Sequence, residues 1–364
     1  MKKYFFLAVA AVVALAACTK NDIDETTQKG REINFNTVAN KATKAPIAGA
    51  TYAYNCPAFG VFAWYLSSGT WASHEAVTPV SYMDDVQISF DDTKDIWTPS
   101  TTYYWPLEGK LTFIAYSPKS AATATFSNAG LLTLTNFTVS TTVADQVDLL
   151  YSSVAADKNG NEAAYVDTGN SKNSGETTGV NIKFKHALAQ VIFKAKAADD
   201  VFDAGMSFKV NSITVNAAST ATSMTVSNPT DEQLASAITT WTAPGTNVNF
   251  AVSSAAFPAA ENTYLTKSYS DPIGDPLLMI PVTAFAGTDP TVTVNYTLYR
   301  TSDNVNLGSK SATVHFDAID NVVTNWQAGK KYVYNLTIDL EKIYFNPTIT
   351  DWADGDSQAG NVPN

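Results

Sequence analysis

Residues 291–299 read Thr-Val-Thr-Val-Asn-Tyr-Thr-Leu-Tyr, and residues 332–340 read Tyr-Val-Tyr-Asn-Leu-Thr-Ile-Asp-Leu. In the first stretch Val292, Val294, Tyr296 and Leu298 fall on one side, and Thr291, Thr293, Asn295 and Thr297 on the other. Strict alternation over this length specifies a β-strand with one buried face, because successive side chains of a strand point to opposite faces. Working outward, strand-like runs recur at residues 59–65, 82–90, 111–116, 131–139, 148–151, 180–186, 189–197 and 210–215. An early run, Glu32-Ile33-Asn34-Phe35-Asn36-Thr37-Val38, sets Ile33 and Phe35 on one side. Only residues 230–240 suggest a helix, with Leu234, Ile238 and Trp241 at helical spacing. Many strands joined by polar turns predict an all-β chain built from sandwiches.

The N-terminus carries a different signal. Met-Lys-Lys precedes an uncharged apolar stretch over residues 4–17, which ends Leu15-Ala16-Ala17-Cys18. A basic start, a short apolar core and small residues before a cut site make an export signal. The stretch is shorter than the ~20 residues a helix needs to span a bilayer. Small residues directly before a cysteine are similar to a bacterial lipobox, in which Cys18 is acylated and starts the mature chain. Residues 19–31 are polar and read as a tether.

About 345 residues remain after the cut, enough for two domains. Residues 156–179 are polar and rich in Gly, Asn and Ser, so the boundary is expected there. The expected organisation is residues 1–17 signal, 18–31 lipidated tether, 32–176 and 177–352 β-sandwich domains, and 353–364 polar tail. The formal net charge is −11, and loss of Lys2 and Lys3 with the signal makes the mature chain more acidic still. That disfavours nucleic acid, which is bound by neutralising phosphates. With Cys18 lipidated, Cys56 has no partner, so no disulfide framework is expected and Cys56 reads as a small core residue.

Signs of chemistry are sparse. His74, His186 and His315 lie in unrelated contexts without metal-ligand spacing. The acidic run Asp351-Trp-Ala-Asp-Gly-Asp356 lacks the order of an EF-hand loop. No nucleophile elbow or phosphate-binding loop is present. The expectation is a protein that is not an enzyme and uses no metal or cofactor. Among the aromatic residues Tyr104 and Trp105 read as core. Trp71, in a Ser/Gly-rich loop, is the candidate to face a ligand.

Several segments together resemble the Mfa-like branch of the fimbrillins. They are Tyr103-Tyr104-Trp105-Pro106, Leu111-Thr112-Phe113-Ile114-Ala115-Tyr116-Ser117-Pro118, Phe184-Lys185-His186-Ala187-Leu188-Ala189, and Gly329-Lys330-Lys331-Tyr332-Val333-Tyr334 with Ile349-Thr350-Asp351-Trp352. The resemblance implies a type V pilin with two tandem transthyretin-like β-sandwich domains, exported as an outer-membrane lipoprotein and ending in a fimbrium. It implies that a surface protease of Arg or Lys preference removes the N-terminal strand with Ile33 and Phe35. Another subunit's strand would then fill the opened groove by donor-strand exchange. The cut is expected after Lys44 in the Lys/Pro loop, with Lys41 as second choice. Arg31 suits an Arg-specific protease, but a cut there leaves the strand attached. Residues 344–349 are either a donor segment or simply the last strand, and stalk and tip roles stay open. Expected partners are other fimbrial subunits, the outer membrane through lipid, and a host or bacterial surface glycan or protein. The competing reading is a surface glycan-binding lipoprotein that stays monomeric and uses loop aromatics.

Overall fold

A computed structural model describes residues 31–38, 58–76, 78–91, 93, 96–128, 130–160, 179–227, 239–252, 264–285, 290–319 and 323–352. These residues are overwhelmingly β, in four sheets.

The first sheet takes its strands from the first half of the chain and one step beyond. They are β1 (Phe35–Val38), β2 (Phe59–Leu66), β3 (Val80–Asp91), β4 (Ile96–Pro99) and β5 (Lys110–Ser117). After β6 (Thr123–Phe126) and β7 (Leu131–Thr135) come β8 (Leu150–Ser152), β9 (Ala155–Lys158) and β10 (Val180–His186). The order is β2-β3-β4-β1-β10-β8-β5-β9, and β2 also pairs with β5 from Gly60↔Tyr116 to Leu66↔Lys110. That last pairing closes the sheet on itself. The ring encloses an aromatic core that includes Phe35, Phe59, Trp97, Trp105, Phe113 and Phe184, all buried. The sheet closes because β5 is long enough to pair with β2 on one edge and with β8 and β9 on the other.

The second half supplies β11 (Ala189–Ala197), a one-turn helix at Asp199–Asp203, β12 (Met206–Ala218), β13 (Ala221–Ser227), β14 (Thr239–Pro244) and β15 (Asn247–Ala251). It continues with β16 (Leu277–Met279), β17 (Thr291–Arg300), β18 (Val305–His315), β19 (Lys330–Ile338) and β20 (Ile343–Asp351). Two sheets, β16-β11-β19-β20 and β15-β12-β17-β18, share one core. Val292, Val294 and Tyr296 of β17 and Tyr332, Tyr334, Leu336 and Ile338 of β19 point into it, as their alternation requires. Leu340 does not continue β19; the chain turns after Ile338 and leaves Leu340 exposed.

One expectation changes. The boundary foreseen between residues 176 and 177 does not separate the strand groups. β10 lies beyond it yet pairs with β1 and β8, so the change of sheet falls at Ala187–Leu188, between β10 and β11. A polar run marks a loop, but composition does not say which sheet the next strand joins. The fourth sheet, β14-β13-β7-β6, also crosses the halves through β7 and β13. The helix foreseen over residues 230–240 lies largely outside the described residues, but Trp241 sits in β14. Its indole ring packs on Phe137 and its Nε1 donates to Ala187 O at 3.1 Å.

Candidate functional site

The segment 31–38 lies in a slot between two walls of the closed sheet. Upstream of β1, Glu32 forms a bridge with Tyr104. Ile33 N donates to Tyr103 O at 2.8 Å, and Trp105 N donates to Arg31 O at 2.9 Å. On the other wall Val180 N donates to Asn34 O at 2.8 Å, and β1 then runs parallel to β10 from Phe35↔Val180 to Val38↔Lys183. Phe35 also pairs antiparallel with Trp97 of β4. The Tyr-Tyr-Trp-Pro run singled out in the sequence is thus one wall of the slot, and the strand opening Val180-Asn-Ile is the other.

The floor is aromatic. Ile33 and Phe35 have no exposed surface. The Phe35 ring meets Phe59 and Phe113 edge-on at 6.2 and 5.7 Å, and Phe59 in turn meets Phe184 at 5.4 Å and Trp97 at 5.0 Å. Burying two such side chains stabilises by about 3–6 kcal/mol, and each ladder hydrogen bond adds about 1 kcal/mol net. Emptying the slot would expose the floor rings and two rows of unpaired backbone groups. Behind the first wall Tyr82 donates its hydroxyl to Tyr104 O at 2.5 Å. Burial, with Tyr103 beside it, pushes the Tyr82 hydroxyl up to about 12, so it stays a donor at any physiological pH.

Gly179 permits the close approach of β1 to β10, and it is a residue the sequence did not single out. Its φ is +122°, and a β-carbon there would lie 2.8 Å from the Asn34 carbonyl carbon and oxygen and 2.9 Å from the Phe35 carbonyl carbon. Its only sequence signal is its place at the end of a polar run directly before a strand. Gly179→Ala is expected to destabilise the chain by about 2–3 kcal/mol through backbone strain and displacement of β1. Urea titration against the unaltered chain checks this, and an unchanged midpoint would show that β1 does not need the glycine.

Of the other residues proposed for processing, Cys18, Lys41 and Lys44 lie outside the described residues, as does Cys56. Arg31 is exposed but held, with Nη1 donating to Gly160 O at 2.6 Å and its carbonyl bonded to Trp105. Backbone already tied into a wall is a poor protease substrate. Trp71 is a correction. It was expected to face a ligand, yet only 2 % of its surface is exposed. Its ring stacks on Phe126 at 5.9 Å, and its backbone N–H donates to Asp157 Oδ1 at 2.9 Å. The Ser67-Ser-Gly69-Thr run does form a turn, with Gly69 at positive φ, but the turn folds Trp71 back onto the core. Trp105 is core as expected, and Tyr104 is half-buried.

His186 is part of a buried cluster. Its Nδ1 lies 2.7 Å from Asp148 Oδ2, and its ring stacks flat on Trp352 at 3.8 Å. No group of residues suited to a metal ion occurs among the described residues.

Comparison with known proteins places this architecture. Over 98 % of both chains it is 25 % identical to the fimbrium subunit Fim1C of Phocaeicola vulgatus. The crystal structure of a fimbrial protein from Bacteroides vulgatus superposes with a TM-score of 0.57 at 19 % identity, covering 89 % of this chain and all of that one. The chain belongs to the fimbrillin-like family, whose model matches residues 43–352.

Proposed function

We propose that this protein is a structural pilin subunit, stalk or tip, that assembles by donor-strand exchange at the β1 slot and serves cell adhesion. In this reading it is built from two transthyretin-like units and exported as a lipoprotein on Cys18. It is cut after Lys44, or at Lys41, and then exchanges residues 31–38 for a partner's strand. The observation that carries the reading is the seating of β1. It is hydrogen-bonded to both neighbours and fills the first core with Ile33 and Phe35, yet it reaches β2 only through residues 39–58. A cut in that connection leaves β1 held by non-covalent contacts alone. A partner strand with apolar side chains at alternate positions can replace it, supplying the ladder bonds and refilling the pockets. The family match begins at residue 43, next to Lys44, and leaves β1 outside it.

Trypsin treatment of native residues 19–364, followed by N-terminal sequencing and sizing chromatography, tests this. The expected result is a single early cut after Lys44 or Lys41 and growth of multimers. A chain left uncut there that stays monomeric overturns the reading.

A further inference from the structure

The outer face of the β16-β11-β19-β20 sheet plays no part in the strand slot. At its β16 edge the side chain of Gln146 bonds the backbone of Leu278 through both its amide atoms, at 3.3 and 2.8 Å. Residues paired across neighbouring strands share a face, so two solvent-facing rows run across the sheet, Lys194–Asn335–Asn346 and Lys196–Thr337–Tyr344. Tyr269 extends the second row. Its hydroxyl lies 3.0 Å from Thr337 Oγ1, and its ring lies 5.3 Å from Lys196 Nζ. Tyr269 and Tyr344 are 38 % and 47 % exposed, large values for aromatic side chains on a sheet face. The Tyr269 side chain reaches past Lys196 to Thr337, the register partner of Tyr344, so amide, hydroxyl and ammonium groups lie beside both rings.

The charge on this face is opposite to that of the chain as a whole. The protein carries −11, yet both rows contain cations and no carboxylate. Among the described residues no carboxylate lies within ion-pair distance of Lys194 or Lys196. Asp339 and Glu341, in the turn after β19, act on Lys342, whose Nζ lies 4.5 Å from the centre of the Tyr344 ring and adds a third cation to this face. Flat aromatic rings offer apolar surface to the faces of sugar rings, the polar groups beside them can bond hydroxyls, and two ammonium groups with no carboxylate at ion-pair distance among the described residues select negative charge. We infer that this face binds an acidic polysaccharide, with Tyr269 and Tyr344 as stacking platforms and Lys194 and Lys196 as carboxylate or sulfate contacts. This site is separate from the slot and is available in the uncut monomer.

The full chain, uncut, would be titrated with polygalacturonate, hyaluronan and heparin, with neutral dextran and poly-glutamate for comparison. The expected result is binding to at least one acidic polysaccharide that weakens steeply between low and physiological salt. Dextran should bind at least about tenfold more weakly, as loss of the charge contacts requires. Lys194→Gln with Lys196→Gln, and separately Tyr344→Ala, should each weaken binding about tenfold or more while leaving the urea midpoint unchanged, since these side chains are solvent-facing. Failure to bind any of the three acidic polysaccharides overturns the inference. So does undiminished binding by the double lysine variant. Equal or tighter binding of poly-glutamate would also overturn it, by making the face a site for acidic protein.

Discussion

Phe35→Ala should destabilise the uncut chain by about 3–5 kcal/mol, the usual range for deleting a buried phenylalanine ring. The ring has no exposed surface and is wedged edge-on between Phe59 and Phe113, in a core that the closed sheet cannot easily collapse upon. Urea unfolding followed by tryptophan fluorescence would report it, because Trp97 and Trp105 line the same core. The proposed function gives the same substitution a second and opposite expectation. If residues 31–38 leave on processing, multimers grown from cut Phe35→Ala subunits should match those of the unaltered protein in stability, since the altered residue is no longer in them. Weakened multimers would mean that β1 stays in place and that assembly uses another surface. A weakened monomer with unaffected multimers would be hard to explain without strand exchange.

The strands themselves were legible in the sequence because each has one face in a core and one toward water. Alternation at β17 and β19 and at Ile33 and Phe35 fixed which side chains turn inward. Partners were not legible. β1 and β10 are separated by more than a hundred residues and run parallel, and a period of two says which face is buried without saying which edge is paired. For that reason the slot appeared in the sequence only as scattered motifs, the Tyr-Tyr-Trp-Pro run and the strand at Val180, which the fold sets on opposite sides of one segment. Gly179 escaped notice because its requirement is a contact with Asn34 and Phe35, far away in sequence. Trp71 was misjudged for a related reason: a Ser/Gly-rich run specifies a turn, whereas the direction of the next ring depends on whether a partner such as Phe126 waits on the inner side. The open aromatic face is equally hidden in sequence, since Tyr269, Lys196, Thr337 and Tyr344 come from four separate segments.

Trp352→Ala should have an effect as large as Phe35→Ala, about 3–5 kcal/mol, although the two residues are more than three hundred positions apart in sequence. Trp352 follows β20 directly, is almost wholly buried, and stacks its ring on His186 at the end of β10. Its N–H donates to Gly329 O, and Gly329 N donates to Leu188 O, both at 2.9 Å. A short chain of contacts therefore pins the last strand to the point where the chain leaves the first sheet for the second. Beneath the indole ring Asp148 accepts from or donates to His186 Nδ1 through Oδ2, while its Oδ1 is buried with no hydrogen-bond partner among the described residues. Burial raises the Asp148 carboxyl above its ordinary 3.8, opposed by a smaller downward pull from His186. A raised value means that the folded state holds this proton more tightly than the unfolded chain. The stability linked to it is complete below the unfolded value and is lost as pH rises through the folded one. Asp148→Asn keeps a polar group beside His186 and removes the titration. Its stability relative to the unaltered chain should therefore improve steadily as pH is raised from about 4 toward neutrality. Urea midpoints measured at several pH values read this directly. Parallel curves for the two proteins would show that the buried carboxyl does not titrate in that window. A loss for Trp352→Ala under about 0.5 kcal/mol, within the range of surface substitutions, would show that the contact with His186 does not hold the end of β20.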